Sequence, residues 1–166
     1  ELLNHNEKGF FLMVEGSKVD WAAHANDPVG VVSDVLSFDA AVKVALDFAK
    51  QDGSTLVMAV TDHNNGGVTL GDRETDGSYS KDPVSRFIAP LLKAKLTGEG
   101  IEYKLNEERS NIKEVMEAWF GVTDLTEEEI EEIKAAGKGS MNYAVGPIIS
   151  RRANLGWTTG GHTGED

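Results

Sequence analysis

"MVEGSKVDWAAHANDP", Met13 to Pro28, decides how the chain is read. It follows directly on "GFFL", so Phe10 to Val14 is a continuous apolar run, and Glu15, Asp20 and His24 come soon after its end. A short continuous apolar run fits a strand covered on both faces, as in a parallel sheet. "TLVMAVTDH" repeats the pattern, with an apolar run from Leu56 to Val60 leading into Asp62 and His63. Between the two, "SFDAAVKVALDFAKQDG" predicts a helix. Phe38, Ala41, Val42, Ala45, Leu46 and Ala49 fall on one stripe, Ser37 can cap the start and Gly53 the end. Strand, helix, strand is a βαβ unit, whose crossover is right-handed. The expected fold class is α/β, part of a mostly parallel sheet flanked by helices.

After Val68 the composition changes. "GDRETDGSYSKDP" is polar and turn-rich, and "VSRFIAPLLKAKLTGEG" suggests a helix interrupted near Pro90. "SNIKEVMEAWFG" is helical, capped by Ser110 or Asn111. "LTEEEIEEIKAAGKG" carries a capping box, Thr126 with Glu129, and closes at Gly137 or Gly139. "SMNYAVGPIISRRANLGW" reads as one more helix with a break at Gly146–Pro147. The expected organisation is an α/β core segment over 1–71, an α-rich insertion over 72–153 and a return segment over 154–166. "ELLNHNEKG" reads as the last turn of a helix and "GGHTGED" ends on polar residues, so the chain is expected to be a piece of something longer.

The totals narrow the function classes. The net charge of −12 repels phosphate backbones and anionic lipid, which argues against nucleic-acid or membrane-surface partners and favours cations. No apolar run is long enough to span a bilayer, and no signal peptide is visible. With no cysteine, thiolate metal sites are excluded.

Carboxylates and imidazoles remain as ligands. In open α/β sheets ligands bind at the carboxyl ends of strands, where Glu15, Asp62 and His63 stand. Asp20 and His24, four apart, share one face of a helix or tight turn. Such an oxygen and nitrogen donor set suits a catalytic zinc. Each residue alone also has a structural reading: Asp62 as a turn former, His63 as a hydrogen-bonded core histidine, Asp20 and His24 as a surface pair. "DRETDGSYSKDP" partly mimics a calcium loop, but its twelfth place is Pro83 instead of a bidentate Glu, so a solvated turn is the better reading.

Taken together, "VEGSKVDWAAH", "VTDHNNGG" and "GGHTGED" resemble three motifs of the alkaline phosphatase family, in the family's order. The resemblance covers residues 1 to about 70 closely, and 157–166. It implies that Glu15 is a magnesium ligand, that Asp20, His24 and His162 hold a first zinc, and that Asp62 and His63 hold a second. Trp21 would line the phosphate pocket, or else pack as a partly buried aromatic. The cofactors implied are thus two zinc ions and one magnesium. The family's nucleophilic serine, the aspartate beside it and the phosphate-clamping arginine belong to segments that this sequence lacks. Asn64 and Asn65 stand where many relatives carry Glu-Thr or a histidine, a departure that argues against a supporting role there but not against the ligands. The resemblance implies hydrolysis of phosphate monoesters through a phosphoserine, by a periplasmic or secreted homodimer in which insertions cap the site or form dimer contacts. By itself this chain would be inactive. The alternatives are a sulfatase or phosphodiesterase of the same superfamily, or a non-catalytic metal-binding or dimerisation fragment.

Overall fold

Asp27 and Pro28 open the longest element of the computed structural model, which describes residues 3–78 and 80–164. Helix α1 (Ser17–His24) is followed, after Ala25, Asn26 and Asp27, by α2 (Pro28–Asp52). Pro28 sits in the first turn, where its missing N–H is no loss. Asp27 Oδ1 accepts from the Val29 and Gly30 amides at 3.1 and 3.0 Å, and Oδ2 from the Gly98 amide at 2.8 Å. One carboxylate therefore caps α2 and ties it to a loop 71 residues away. Burial pushes the Asp27 carboxyl above the usual carboxylate range, against the pull of its three amide donors. Asp27→Ala should cost about 2 kcal/mol or more, since it removes the cap and strands a distant amide. Urea unfolding measures this, and a loss under about 0.5 kcal/mol, as for a surface change, would contradict it.

The helix expected near Ser37 thus starts at Pro28, and Ser37 Oγ donates to Ser33 O at 2.9 Å instead of capping. Its end is as read: Gly53 takes the left-handed conformation (φ 74°) and closes it. Phe38, Val42, Ala45 and Ala49 of the predicted stripe are half-buried, whereas Ala41 and Leu46 are exposed. The run after Gly9 lies along this helix. Phe10 meets Phe48 with ring centroids 6.1 Å apart, and Gly16 is pressed against the Phe38 ring.

The mostly parallel sheet expected from the apolar runs is absent among the described residues. Residues 10–14 and 56–60 have no strand assignment, and Phe11, Met58 and Val60 are 90%, 74% and 80% exposed. A strand exists through its neighbours, and none of the described residues pairs with either run. The ladders present are two short antiparallel ones. β1 (Asn64–Asn65) pairs with β4 (His162–Thr163), and β2 (Thr69–Leu70) with β3 (Leu155–Gly156). Gly71 adds one parallel bridge to Leu155.

The core lies where the sequence suggested an insertion. Helices α3 (Ser85–Leu92), α4 (Ile112–Phe120), α5 (Glu127–Ala135) and α6 (Met141–Arg152) follow one another, with 3₁₀ turns at Arg73–Thr75 and Glu99–Tyr103. Ile101, Met116, Phe120, Ile133, Val145 and Ile148 are buried together between them. The capping box of α5 is formed as read, Glu129 N donating to Thr126 Oγ1 and Thr126 N to Glu129 Oε2, both at 3.2 Å. That helix stops at Ala135, before either glycine proposed as its end.

Gly146–Pro147 does not break α6, which runs through both. A Cβ at Gly146 would stand 2.8 Å from Ala25 O and from Asp27 Cα. The glycine lets α6 lie directly against the loop between α1 and α2. Ser150 Oγ, four residues on, donates to Asn26 O at 3.0 Å. The best-packed part of the chain is thereby locked to the loop behind Asp20 and His24.

Candidate metal centre

Helix α1 carries Asp20 and His24 one turn apart, and Asp20 Oδ2 lies 3.5 Å from His24 Nε2. The other nitrogen of His24, Nδ1, faces the carbonyl of Gly160 at 2.7 Å. A carbonyl only accepts, so Nδ1 donates there, and Nε2 is the nitrogen turned toward Asp20. Ligating histidines are commonly fixed in this way. Asn26, in the left-handed region (φ 51°), turns the chain out of α1. Its amide, oriented as its neighbours require, donates to Ala23 O and Thr159 O at 3.1 and 3.0 Å.

The β1–β4 ladder brings in the distant histidine. Asn65 is the ladder partner of His162, and Gly66 N donates to Gly161 O at 3.0 Å. Gly66 itself has φ 73° and lies against the Trp157 ring, so a side chain there would be strained and crowded. His63 and His162 stack with centroids 3.8 Å apart, and His24 lies 5.3 Å from His162. Asp20, His63 and His162 each offer a ligand atom within 4.8 Å of the other two.

The remaining candidates sit at different distances from this group. Asp62 is joined through its neighbour, with Oδ2 3.5 Å from His63 Nε2 and its side chain 87% exposed. The His63 amide donates to Asp62 Oδ1 at 3.0 Å and, with the Asp62 amide, holds that carboxyl below the usual range. Glu15 is exposed, and among the described residues it makes no hydrogen bond or ion pair. Trp21 is 56% exposed. Lys18 Nζ lies 4.1 Å over its ring and 3.4 Å from Glu99 Oε2. It lines a cleft of about 150 Å³ with Asp27, Asp34 and Asn142, and none of the candidate ligands lines that cleft.

Five of the six expected ligands are therefore neighbours. The sequence reading divided them into Asp20, His24 and His162 on one side and Asp62 and His63 on the other. The triplet within ligand distance takes one histidine from the second set. The His162 ring neighbours those of both His24 and His63. The donor set of carboxylate oxygen and imidazole nitrogen, with one imidazole held in a fixed tautomer by Gly160, fits zinc. Two participants escaped the sequence reading. One is the Gly160 carbonyl, a backbone group without any sequence signal. The other is Asn65, whose amide donates to Asp20 Oδ1 at 2.5 Å.

Comparison with known proteins points to one family. "Alkaline phosphatase 4" of Bacillus subtilis is 42% identical over 168 residues, covering 99% of this chain and 34% of that protein. "Alkaline phosphatase 3" of the same organism is 39% identical over 170 residues, with 99% and 35% covered. The chain thus spans about a third of the length of these relatives. Among solved structures, a cold-active alkaline phosphatase from the psychrophile Shewanella sp. superposes with a TM-score of 0.75 at 31% identity, covering 99% of this chain and 39% of that one. The family model for alkaline phosphatase matches residues 1–166, the whole length, so the chain belongs to the alkaline phosphatase family.

Proposed function

We propose that this chain is the metal-holding part of a phosphomonoesterase, with the nucleophilic serine supplied by residues outside 1–166. The observation that carries the reading is the approach of Asp20, His63 and His162 within 4.8 Å of one another, from three separate parts of the chain. In this reading Asp20, His24 and His162 hold one zinc, Asp62 and His63 a second, and Glu15 offers its carboxylate to a magnesium completed by other segments. Bound there, the metals would activate the serine hydroxyl and stabilise the leaving oxygen of a phosphate ester, by way of a phosphoserine. The work of this chain is to orient the ligands. α1 sets the spacing of Asp20 and His24, Gly160 fixes the His24 tautomer, and the β1–β4 ladder delivers His162.

The exposed runs 10–14 and 56–60 support the division of labour. Apolar stretches this open call for covering strands, and the relatives are about three times as long. The same reading takes the whole enzyme as a periplasmic or secreted homodimer, with residues 72–153 as a cap or a dimer contact. No helix of the described residues is long and apolar enough to cross a membrane.

The chain alone should therefore be inert, because nucleophile and metal site act as a unit. The test is hydrolysis of a chromogenic phosphomonoester with added zinc and magnesium. Turnover of about 1 s⁻¹ or more, the range of ordinary enzymes, surviving repurification, would reveal a nucleophile within this chain and overturn the division.

A further inference from the structure

We propose that Ser150 is a positioning residue for the metal centre: its buried hydroxyl, on a helix that carries none of the candidate ligands, holds together the two loops beside His24 and His162. The inference rests on the metal-site reading above and extends it to α6. Ser150 is 3% exposed. Its Oγ donates to Asn26 O at 3.0 Å and accepts from Trp157 Nε1 at 2.8 Å. A hydroxyl has one proton and an indole N–H only donates, so the proton goes to Asn26 and a lone pair to Trp157.

Both loops lead to histidines. Asn26 stands two residues after His24, and its amide donates to Thr159 O at 3.0 Å. Trp157 and Thr159 are thus tied to one junction, and the next residue, Gly160, meets His24 Nδ1 with its carbonyl at 2.7 Å. The Trp157 ring lies against Gly66, whose carbonyl accepts from Thr158 N at 2.9 Å and whose amide donates to Gly161 O at 3.0 Å. His162 follows directly. The segment from Trp157 to Gly161 is therefore fastened at each end before the chain reaches the ligand.

The fastening is polar. Thr158, Thr159 and Gly160 are exposed, and among the described residues Trp157 belongs to neither buried apolar cluster. Helix α6 is the fixed side, since Met141, Val145 and Ile148 are wholly buried. A methyl group in place of the hydroxymethyl would pack in nearly the same space and make neither bond. The hydroxyl is what transmits the rigidity of α6 to the loops.

Zinc affinity separates this from a purely structural role. In the whole enzyme that carries this chain, the zinc dissociation constant is measured by competition with a chromogenic chelator, and thermal unfolding of the metal-free protein is followed in parallel. Ser150→Ala should weaken zinc binding about tenfold, the lower end of what losing an outer partner of a ligand does. Trp157→Phe keeps a ring against Gly66 and removes only the N–H. It should weaken binding about fivefold, the equivalent of one neutral hydrogen bond. The double variant should bind zinc as Ser150→Ala does, because the two changes share one bond. Thr126→Ala, which removes the cap of α5 and touches none of these groups, should lower metal-free stability and leave zinc affinity within twofold of the parent. A folded Ser150→Ala or Trp157→Phe variant that binds zinc within twofold of the parent overturns the proposal. So do fully additive effects in the double variant, or a Thr126→Ala variant that weakens zinc as much as Ser150→Ala. If the parent enzyme itself takes up no zinc, the metal-site reading fails and this proposal falls with it.

Discussion

His162→Ala in the whole enzyme should empty the site without unfolding the protein. The loss of zinc affinity should exceed the about 100-fold expected for an outer partner, because a ligand itself is removed. Activity should fall in parallel and return in part with excess zinc. The reasoning is local. His162 is exposed, it stands on a two-residue strand, and its ring touches histidines instead of the core. The buried cluster of Met116, Ile133, Val145 and Ile148 does not involve it. Metal content after dialysis and unfolding of the metal-free protein decide the matter. Unchanged zinc with a collapsed unfolding temperature would make His162 structural.

Glu129→Ala should give the largest loss of stability, about 3–5 kcal/mol, the usual effect of removing one partner of a buried ion pair. Only 9% of the Glu129 side chain is exposed, and two arginines converge on it. Arg152 donates Nη1 to Oε1 at 2.9 Å and Nη2 to Oε2 at 2.8 Å, and Arg151 adds a third bond at 2.9 Å. Arg152 also reaches Asp124 Oδ1 through Nε at 2.9 Å. The variant would leave Arg152 with only Asp124 and the Ile148 carbonyl and would also remove the Glu129 side chain's half of the α5 capping box. Arg152, with a smaller part from Arg151, holds the Glu129 carboxyl at about 2, against 4.5 ordinarily. A lowered folded value means that the stabilisation is complete above about pH 4.5 and is lost as pH falls through about 2. The stability difference between the parent and Glu129→Gln should shrink over that window. Taking the difference cancels the opposite contribution of Asp27, whose raised carboxyl binds its proton more tightly in the folded state. Urea unfolding at several pH values measures both effects. A difference that grows on acidification would refute the pairing.

Legibility in the sequence followed how local each interaction is. Helices α4 and α5 could be read because their apolar spacing and the Thr126–Glu129 box lie within single segments. The continuity of α6 could not. Gly146 looked like a breaker, yet it serves a close approach to Ala25 and Asp27, a relation between segments more than a hundred residues apart. The start of α2 was missed although "DP" marks it, because the apolar stripe farther along drew the boundary to Ser37. The runs 10–14 and 56–60 have strand composition, but a strand needs partners, and none of the described residues pairs with them.

The ligands were legible for the opposite reason. Asp20 and His24 are one helical turn apart, so spacing alone puts them together. Their grouping with His63 and His162 depends on pairing "NN" with "HT", and neither pair carries a strand signature, asparagine being poor in strands. Asn65 had no visible role until that ladder and α1 were seen side by side.

The most direct test of the account is zinc-edge anomalous scattering from crystals of the whole enzyme loaded with zinc. The account predicts a peak about 2.0–2.2 Å from a carboxylate oxygen of Asp20 and from an imidazole nitrogen of His162, with Asn65 still bonded to the other Asp20 oxygen. Zinc bound elsewhere, with Asp20 and His162 ordered and free of any peak, would contradict it.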